Sequence, residues 1–332
     1  MGPRWLRRVA GMLVVMLVGA GVVVAGALRP VDPAGSPRVI FILRGASSAD
    51  IGRRLEDAGL IRRSLDFVFA VRVRGLSHSL REGEYRLSPA MRLLEIVDTI
   101  ARGDVVLHTI TIPEGFTADE IVELLAQSGL GDRQRLRDRV RRGAHTFDAD
   151  FLRDLPVASL EGYLFPDTYR IPRSLSEREV LSLFLDRFAQ AVLPVWRVHG
   201  AGHPLHEIVT IASLVEREAK VPTERGLIAG VLYNRLRRDW RLEVDATVLY
   251  ALGRHKSVVT NEDLKVDSPY NTYLHPGLPP GPIANPGLAA ILAALVPVST
   301  DYLFYVARPD GSHAFSKTLQ EHLAAIRRYR PP

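Results

Sequence analysis

Apolar residues run unbroken by charge from Val9 to Leu28, twenty positions in all, before the chain breaks into shorter rhythms. At ~1.5 Å per helical residue such a run matches the ~30 Å hydrocarbon core of a bilayer. After a Pro/Gly-rich linker over 29–37, Arg38 to Leu43 alternates apolar and polar residues and predicts a strand. Ser48 to Ala58, with a serine N-cap signal, Ile51 and Leu55 at helical spacing and Gly59 beyond, predicts a helix. Ser64 to Arg74 predicts a second helix, again serine-capped, and Glu84 to Leu87 a closing strand. The order is strand, helix, helix, strand. A partial echo comes next, from His108 to Leu130, where Gly115, Ile121, Leu125 and Gly129 repeat the spacing of Gly45, Ile51, Leu55 and Gly59.

The rhythm then lengthens. "LEGYLFPDTYRIP" (Leu160 to Pro172) is aromatic and turn-rich, and a helical block runs from Ser176 to Leu193. Two further helices come after it, one carrying "TIASLVEREAK" and one from Thr223 to Arg238. "LEVDATVLYALG" reads as an extended piece, an Asp245 cap and a helix ending at Gly253. Asp267 to Gly287 holds too much Pro and Gly for a regular element and predicts a long loop with a task. A helix, a strand at Tyr302 to Ala307, a turn at Asp310-Gly311 and a terminal helix close an α+β pattern. The divisions predicted are a cytoplasmic N-terminus (1–8), a membrane helix (9–28), the linker (29–37), a small βααβ subdomain (38–107) and a larger mixed domain (108–332).

Composition adds location and exclusions. Arg4, Arg7 and Arg8 precede the apolar run, so the positive-inside rule keeps the N-terminus cytoplasmic and exports the chain beyond Arg29. A cleaved signal peptide is the competing reading, with Ala25-Gly26-Ala27 imitating a cleavage site; the length of the run favours a retained anchor. Cysteine is absent, which excludes disulfides and thiolate chemistry. The net charge of +6 comes from arginines spread along the chain with only four lysines and no nucleic-acid motif. The dense run Arg133 to Arg142 alternates with Asp138 and apolar residues and reads as a solvated helix face. The expected partner of this charge is an anionic membrane surface or wall polymer rather than nucleic acid. His199, His203 and His206 have ligand-like spacing, but Gly202 and Pro204 make a surface loop of them, and no metal or other cofactor is expected.

The chemistry concentrates in one helix. Ile208, Ile211, Ala212, Val215 and Ala219 form a core-facing stripe. At ~100° per residue Glu216 lies about 80° to one side of its centre and Glu218 about 80° to the other, with Arg217 pointing away. Two boundary glutamates paired with Arg217, Lys220 or Arg225 would look the same as two acids on a cleft wall. The wheel does not choose.

Six ordered blocks do. "EGYLFPDTY", "ASLVEREA", "ERGLIAGVLYNRL", "LEVDATVLYALG", "SPYNTYLHPGLPPGPIANPG" and "HAFSKTLQEH" resemble the MltG-type (YceG-like) endolytic murein transglycosylase family along the whole chain. The resemblance implies a LysM-like βααβ unit and a catalytic acid at the second glutamate of the E-x-E, here Glu218. It also implies cleavage of the MurNAc-β-1,4-GlcNAc bond inside nascent peptidoglycan strands, without water, leaving 1,6-anhydro ends. Work at the cytoplasmic membrane beside the peptidoglycan synthases (penicillin-binding proteins) is implied as well. Among supporting residues, Glu224 and Arg225 orient the site or cap the second helix at Thr223, and Asn234 and Arg235 near its end can likewise serve the site or the fold. Asp245 is a helix cap or a second polar group in the cleft. Tyr270, Asn271, Thr272 and Tyr273 offer the aromatic plates and hydrogen-bonding groups that sugars need, or pack the loop. A hydrolytic muramidase pairing Glu218 with Asp245, and a non-catalytic wall-binding scaffold, are the rivals.

Overall fold

The computed structural model describes residues 29–200, 202–253, 256 and 259–329. The apolar run Val9–Leu28 and its flanking arginines lie outside them, and among the described residues no helix is long and apolar enough to cross a membrane. The chain forms two compact units, one holding residues up to 108 with 170–174, the other 109–169 with 175 onward.

The first unit realises the strand-helix-helix-strand order. β1 (Arg38–Ile42) pairs antiparallel with β2 (Gly83–Leu87), Arg38 opposite Leu87 and Ile42 opposite Gly83. Between them lie α1 (Ser48–Asp57) and α2 (Ser64–Val73). Ser47 caps α1 in a reciprocal box with Asp50. Ser64, expected to cap α2, is instead its first helical residue; Arg63 holds the cap position without a side-chain bond, and the Glu56 carboxylate accepts from the Ser64 N–H at 2.8 Å. A third helix, α3 (Leu93–Arg102), was not anticipated, although Ile96, Val97 and Ile100 are spaced for it and Gly103 ends it in the left-handed conformation. Ile42, Ile51, Leu55, Phe67, Val71, Tyr85, Leu87, Ile96 and Ile100 make the core.

The second unit begins with a fuller echo than the spacing alone suggested. β3 (His108–Thr111), α4 (Ala118–Gln127), α5 (Arg133–Arg142) and β4 (Thr168–Ile171) repeat the order, His108 and the last two residues of β4 counting with the first unit, and β3 pairs with β4. Thr117 caps α4 in a box with Glu120, answering Ser47 and Asp50. Gly45 and Gly115 both turn at positive φ, +77° and +78°, where an L side chain would be strained. The arginines of α5 pair with Asp119, Glu123, Asp138 and Glu177.

The remaining elements are helical around one buried rod. They are α6 (Glu177–His199), α7 (Leu205–Glu218), α8 (Arg225–Leu236), α9 (Asp245–Leu252), α10 (Leu288–Leu295) and α11 (Leu319–Tyr329). The hairpin β5 (Phe304–Ala307) and β6 (His313–Ser316) precedes α11; the second strand escaped the sequence reading because its four residues carry no clear alternation. α7 is buried without interruption from Ile208 to Val215 and packs against α8, α9 and α10. Its polar core residues are satisfied: Thr210 donates to the His206 carbonyl, and Ser213 donates to the Thr210 carbonyl and accepts from Ile283. The long 267–287 loop has no regular element, as expected, and lies along α7.

Candidate active site

α7 stops at Glu218. The stripe read from the sequence continued to Ala219, but Ala219 is already extended at ψ 105°, with Pro222 disfavouring further helix. Glu218 is thus the last helical residue, half-buried, on a helix whose body is core.

Hydroxyls surround it. The Tyr305 hydroxyl on β5 hydrogen-bonds the Glu218 carboxylate, and burial followed by that negative neighbour pushes the phenol's pKa well above its ordinary value. Tyr273, from the long loop, donates to Asp245 Oδ1 at 2.6 Å and also lies in the field of Glu218. Its phenol is raised by burial first, then by Asp245. Asp245 is therefore not the cap of α9. It is the first helical residue behind Val244, and its carboxylate is turned to Tyr273.

β5 is held in turn. The ring of His313 meets Tyr305 edge-on with centroids 5.3 Å apart, and Glu224 accepts from the His313 backbone N–H at 3.0 Å and contacts its Nδ1 at 2.7 Å. Arg235, buried, donates from Nε to the Leu303 carbonyl at 2.7 Å and from Nη1 to the Arg241 and Leu242 carbonyls. Its guanidinium also lies over the Phe304 ring.

Glu216, two residues earlier on the helix, has opposite surroundings. Its side chain is 8% exposed, accepts from the Gly287 N–H at 3.1 Å and sits 3.6 Å from Arg225. Burial raises its pKa, Gly287 pulls it down and Glu114 pushes it up again. A Cβ on Gly287 would collide with the Glu114 carboxylate, so only glycine brings that N–H to Glu216 without displacing its neighbour. This is a closed structural junction.

The YceG-like family matches residues 40–328. The chain belongs to that family. An endolytic murein transglycosylase of Bacillus subtilis strain 168 is 33% identical over 316 residues, 91% of this chain and 88% of the relative. One from Streptococcus pneumoniae serotype 2 is 32% identical over 90% of this chain, which spans 60% of that longer relative. The crystal structure of a YceG-like protein from Listeria monocytogenes superposes with a TM-score of 0.61 at 35% identity, over 88% of this chain and all of the other.

Within this YceG-like chain the other predicted site residues scatter. Arg225 belongs to the Glu216 junction, also 3.9 Å from Glu114. Glu224 stands at the N-cap position of α8, but its side chain makes no capping bond there; it fastens β6. Asn234 is buried and donates to the Thr300 and Tyr302 carbonyls, fixing the approach to β5, and Arg235 serves the same strand from the fold side. Asn271 is fully buried and donates to the Leu264 and Val266 carbonyls, and Thr272 is buried against the Val244 N–H and Thr247. Both hold the loop in shape, which positions Tyr273 beside them. Tyr270 packs its ring on Tyr250 at 4.9 Å. His206 is not in a loop: it sits in the first turn of α7, bonded to the Tyr163 hydroxyl and the Pro280 carbonyl.

Sequence reasoning missed Tyr305, His313 and Glu161. Glu161 opens the "EGYLFPDTY" block and is entirely buried, accepting from Ala118 N–H at 2.9 Å, Asn285 Nδ2 at 3.0 Å and Tyr250 at 3.3 Å. Burial lifts its pKa to about 8. It lines a cavity of about 600 Å³ with Thr117, Arg217, Ala246, Leu249 and Tyr250. Its lining reaches α7 at Arg217 and α9 at Ala246. A carboxyl inside a dense aromatic motif was the available signal for Glu161. For Tyr305 none existed, because it reads as an ordinary strand aromatic.

Proposed function

We propose that this chain is a membrane-anchored lytic transglycosylase that cuts peptidoglycan strands internally, with Glu218 as its acid and base. The observation that carries the reading is one half-buried carboxyl at the second position of the E-x-E, hydrogen-bonded by the Tyr305 hydroxyl. The endolytic murein transglycosylase name of the relatives fits it.

The reaction asks one carboxyl to act twice. Protonated Glu218 gives its proton to the glycosidic oxygen as the bond from muramic C1 breaks. The carboxylate then takes the proton of the muramic C6 hydroxyl as that oxygen bonds to C1, which closes the 1,6-anhydro ring and returns the acid to its starting state. Water takes no part, so the second carboxylate of an ordinary glycosidase is not needed. Two opposing influences suit a group that must change charge in each turnover. Partial burial at the end of an apolar helix disfavours the anion, while the Tyr305 hydroxyl supports it once formed. Tyr273 occupies Asp245, which keeps that carboxylate engaged rather than free to activate water.

The apolar run 9–28 serves as the anchor, with the folded units on the extracytoplasmic face. The first unit acts as a LysM-like glycan-holding module, and the peptidoglycan synthases that extrude strands at the membrane are the expected neighbours. Mass spectrometry of digested purified strands is the test. New 1,6-anhydro ends that vanish in Glu218→Gln support the reading; reducing ends would make the enzyme a hydrolase, and no cleavage would leave a scaffold.

A further inference from the structure

α2 of the first unit, "SLDFVFAVRV", is apolar over most of its circumference, broken by Ser64, Asp66 (paired with Arg63) and Arg72, yet only Phe67, Ala70 and Val71 are buried. A helix apolar over most of its surface ordinarily has neighbours over most of it. Here Leu65, Phe69 and Val73, spaced four apart and so on one face, are 75%, 62% and 67% exposed. Three large side chains in line form a patch of the sort that marks an interaction site. Arg72, seven residues beyond Leu65, shares the face, and Arg62 stands just before the helix; neither has an ion pair among the described residues.

The position of this face along the chain says what covers it. Arg62 Nη2 donates to the Pro30 carbonyl at 3.0 Å, which pins the start of α2 to the second residue after Leu28. Two residues span at most about 7 Å, so the bond ties the segment leading into α2 to a point close in the chain to the end of the twenty-residue apolar run. The linker is fastened further on, Asp32 N–H to the Pro89 carbonyl at 3.1 Å and Ser88 to the Gly35 carbonyl at 2.7 Å. A unit tied this closely cannot drift from whatever holds residues 9–28.

We propose that the Leu65–Phe69–Val73 face of α2 docks on the outer surface of the bilayer, its apolar side chains entering the headgroup–acyl boundary while Arg62 and Arg72 meet anionic lipid headgroups. An exposed apolar stripe with arginines beside it is the chemistry that the headgroup–acyl boundary of an anionic bilayer accepts. It rests on the reading of residues 9–28 as a membrane anchor and extends it: the anchor supplies proximity, and α2 makes the first unit lie on the membrane rather than swing from it.

Absence of cysteine allows a clean test. Full-length protein carrying Phe69→Cys or Arg29→Cys is labelled with an environment-sensitive fluorophore and reconstituted, one chain per nanodisc, in a phosphatidylcholine–phosphatidylglycerol mixture with or without nitroxide-bearing acyl chains. The label at 69 should shift to the blue and lose most of its emission to the lipid nitroxide. Doubly substituted Leu65→Glu/Val73→Glu protein should lose both effects at 69, and pure phosphatidylcholine should weaken them. Quenching at 29 but not at 69 overturns docking and spares the anchor. No quenching at 29 overturns the anchor and the proposal with it. A blue shift at 69 that appears only with two or more chains per disc and ignores the lipid nitroxide would assign the face to a second copy instead.

Discussion

Glu216 leaves α7 into a junction where a guanidinium, a backbone N–H and a glycine packed against Glu114 close around it. Glu218, two residues on, leaves it among the hydroxyl of Tyr305 and the Tyr273–Asp245 pair, partly exposed. Glu216 is fixed in place by a guanidinium and a backbone N–H, while burial and Glu114 still leave its pKa raised. Glu218 has phenolic neighbours, Tyr305 bonded to it and Tyr273 in its field. Burial does not separate the two acids, since both are only partly exposed. The kind of partner does.

The sharpest way to break this comparison is to neutralise each acid in turn. Glu218→Gln keeps shape and polarity but removes the transferable proton, and turnover should fall by about 10³-fold, within the range of lost general acid–base catalysis, with the melting temperature unchanged. Glu216→Gln should keep turnover per folded molecule within a few-fold and lower the melting temperature, because Arg225 loses its charge partner. Turnover on glycan strands and calorimetry on both variants decide it. A dead 216 variant beside an active 218 variant would reverse the assignment.

Glu161 sharpens the comparison from the other side, as an acid with several partners and no cation among them. Its pKa near 8, against an ordinary 4.5, means the folded chain keeps a proton that the unfolded chain releases between those values. By linkage, this contribution to stability is whole below about pH 4.5, declines as pH rises, and is gone above about pH 8. The melting temperature of Glu161→Gln should match the parent near pH 5 and exceed it increasingly toward pH 8. Parallel curves would show that Glu161 is ionised inside the fold.

A smaller effect is expected at Tyr305. Tyr305→Phe removes one hydrogen bond to Glu218 and leaves the ring against His313, so turnover should drop about tenfold, the scale of one hydrogen bond to a charged group, with little change in stability. The alkaline limb of the pH–rate profile should move up, because the carboxylate loses the donor that supports it. A drop in turnover with an unmoved limb would make Tyr305 a packing residue.

Much of this frame was legible in the residues. Periodicity placed α1, α2 and α7, and the E-x-E with its ordered companion blocks pointed to Glu218. Legibility failed where a side chain's role depends on a distant partner. Asn271 and Thr272 have the polar groups that sugars use, but backbone groups at 244, 264 and 266 claim them. Glu224 carries a cap-like sequence context, yet its carboxylate crosses to a strand 89 residues later. No local pattern reports such a pairing, because it is made by the packing of α8 beside the β5–β6 hairpin. α3 is the contrary case: its spacing was there to read, and Arg102-Gly103 marked its end.

The smallest effect should come from Tyr273, where the two sides of the comparison nearly meet. Its hydroxyl is given to Asp245 at 2.6 Å while its ring lies partly exposed near Glu218. Tyr273→Phe keeps the ring and frees Asp245, costing about 1 kcal/mol of stability for one hydrogen bond and no more than a few-fold in turnover. Its product pattern is more informative than its rate. If Tyr273 is what keeps Asp245 from acting on water, strands cut by the variant should carry a measurable fraction of reducing ends beside the 1,6-anhydro ends. Anhydro ends alone would show that the distance from Asp245 to the reacting carbon, rather than its engagement by Tyr273, protects the reaction from hydrolysis. A Tyr273→Phe, Asp245→Asn double variant separates the two, since it removes the freed carboxylate and should return the product to anhydro ends if that carboxylate was the base.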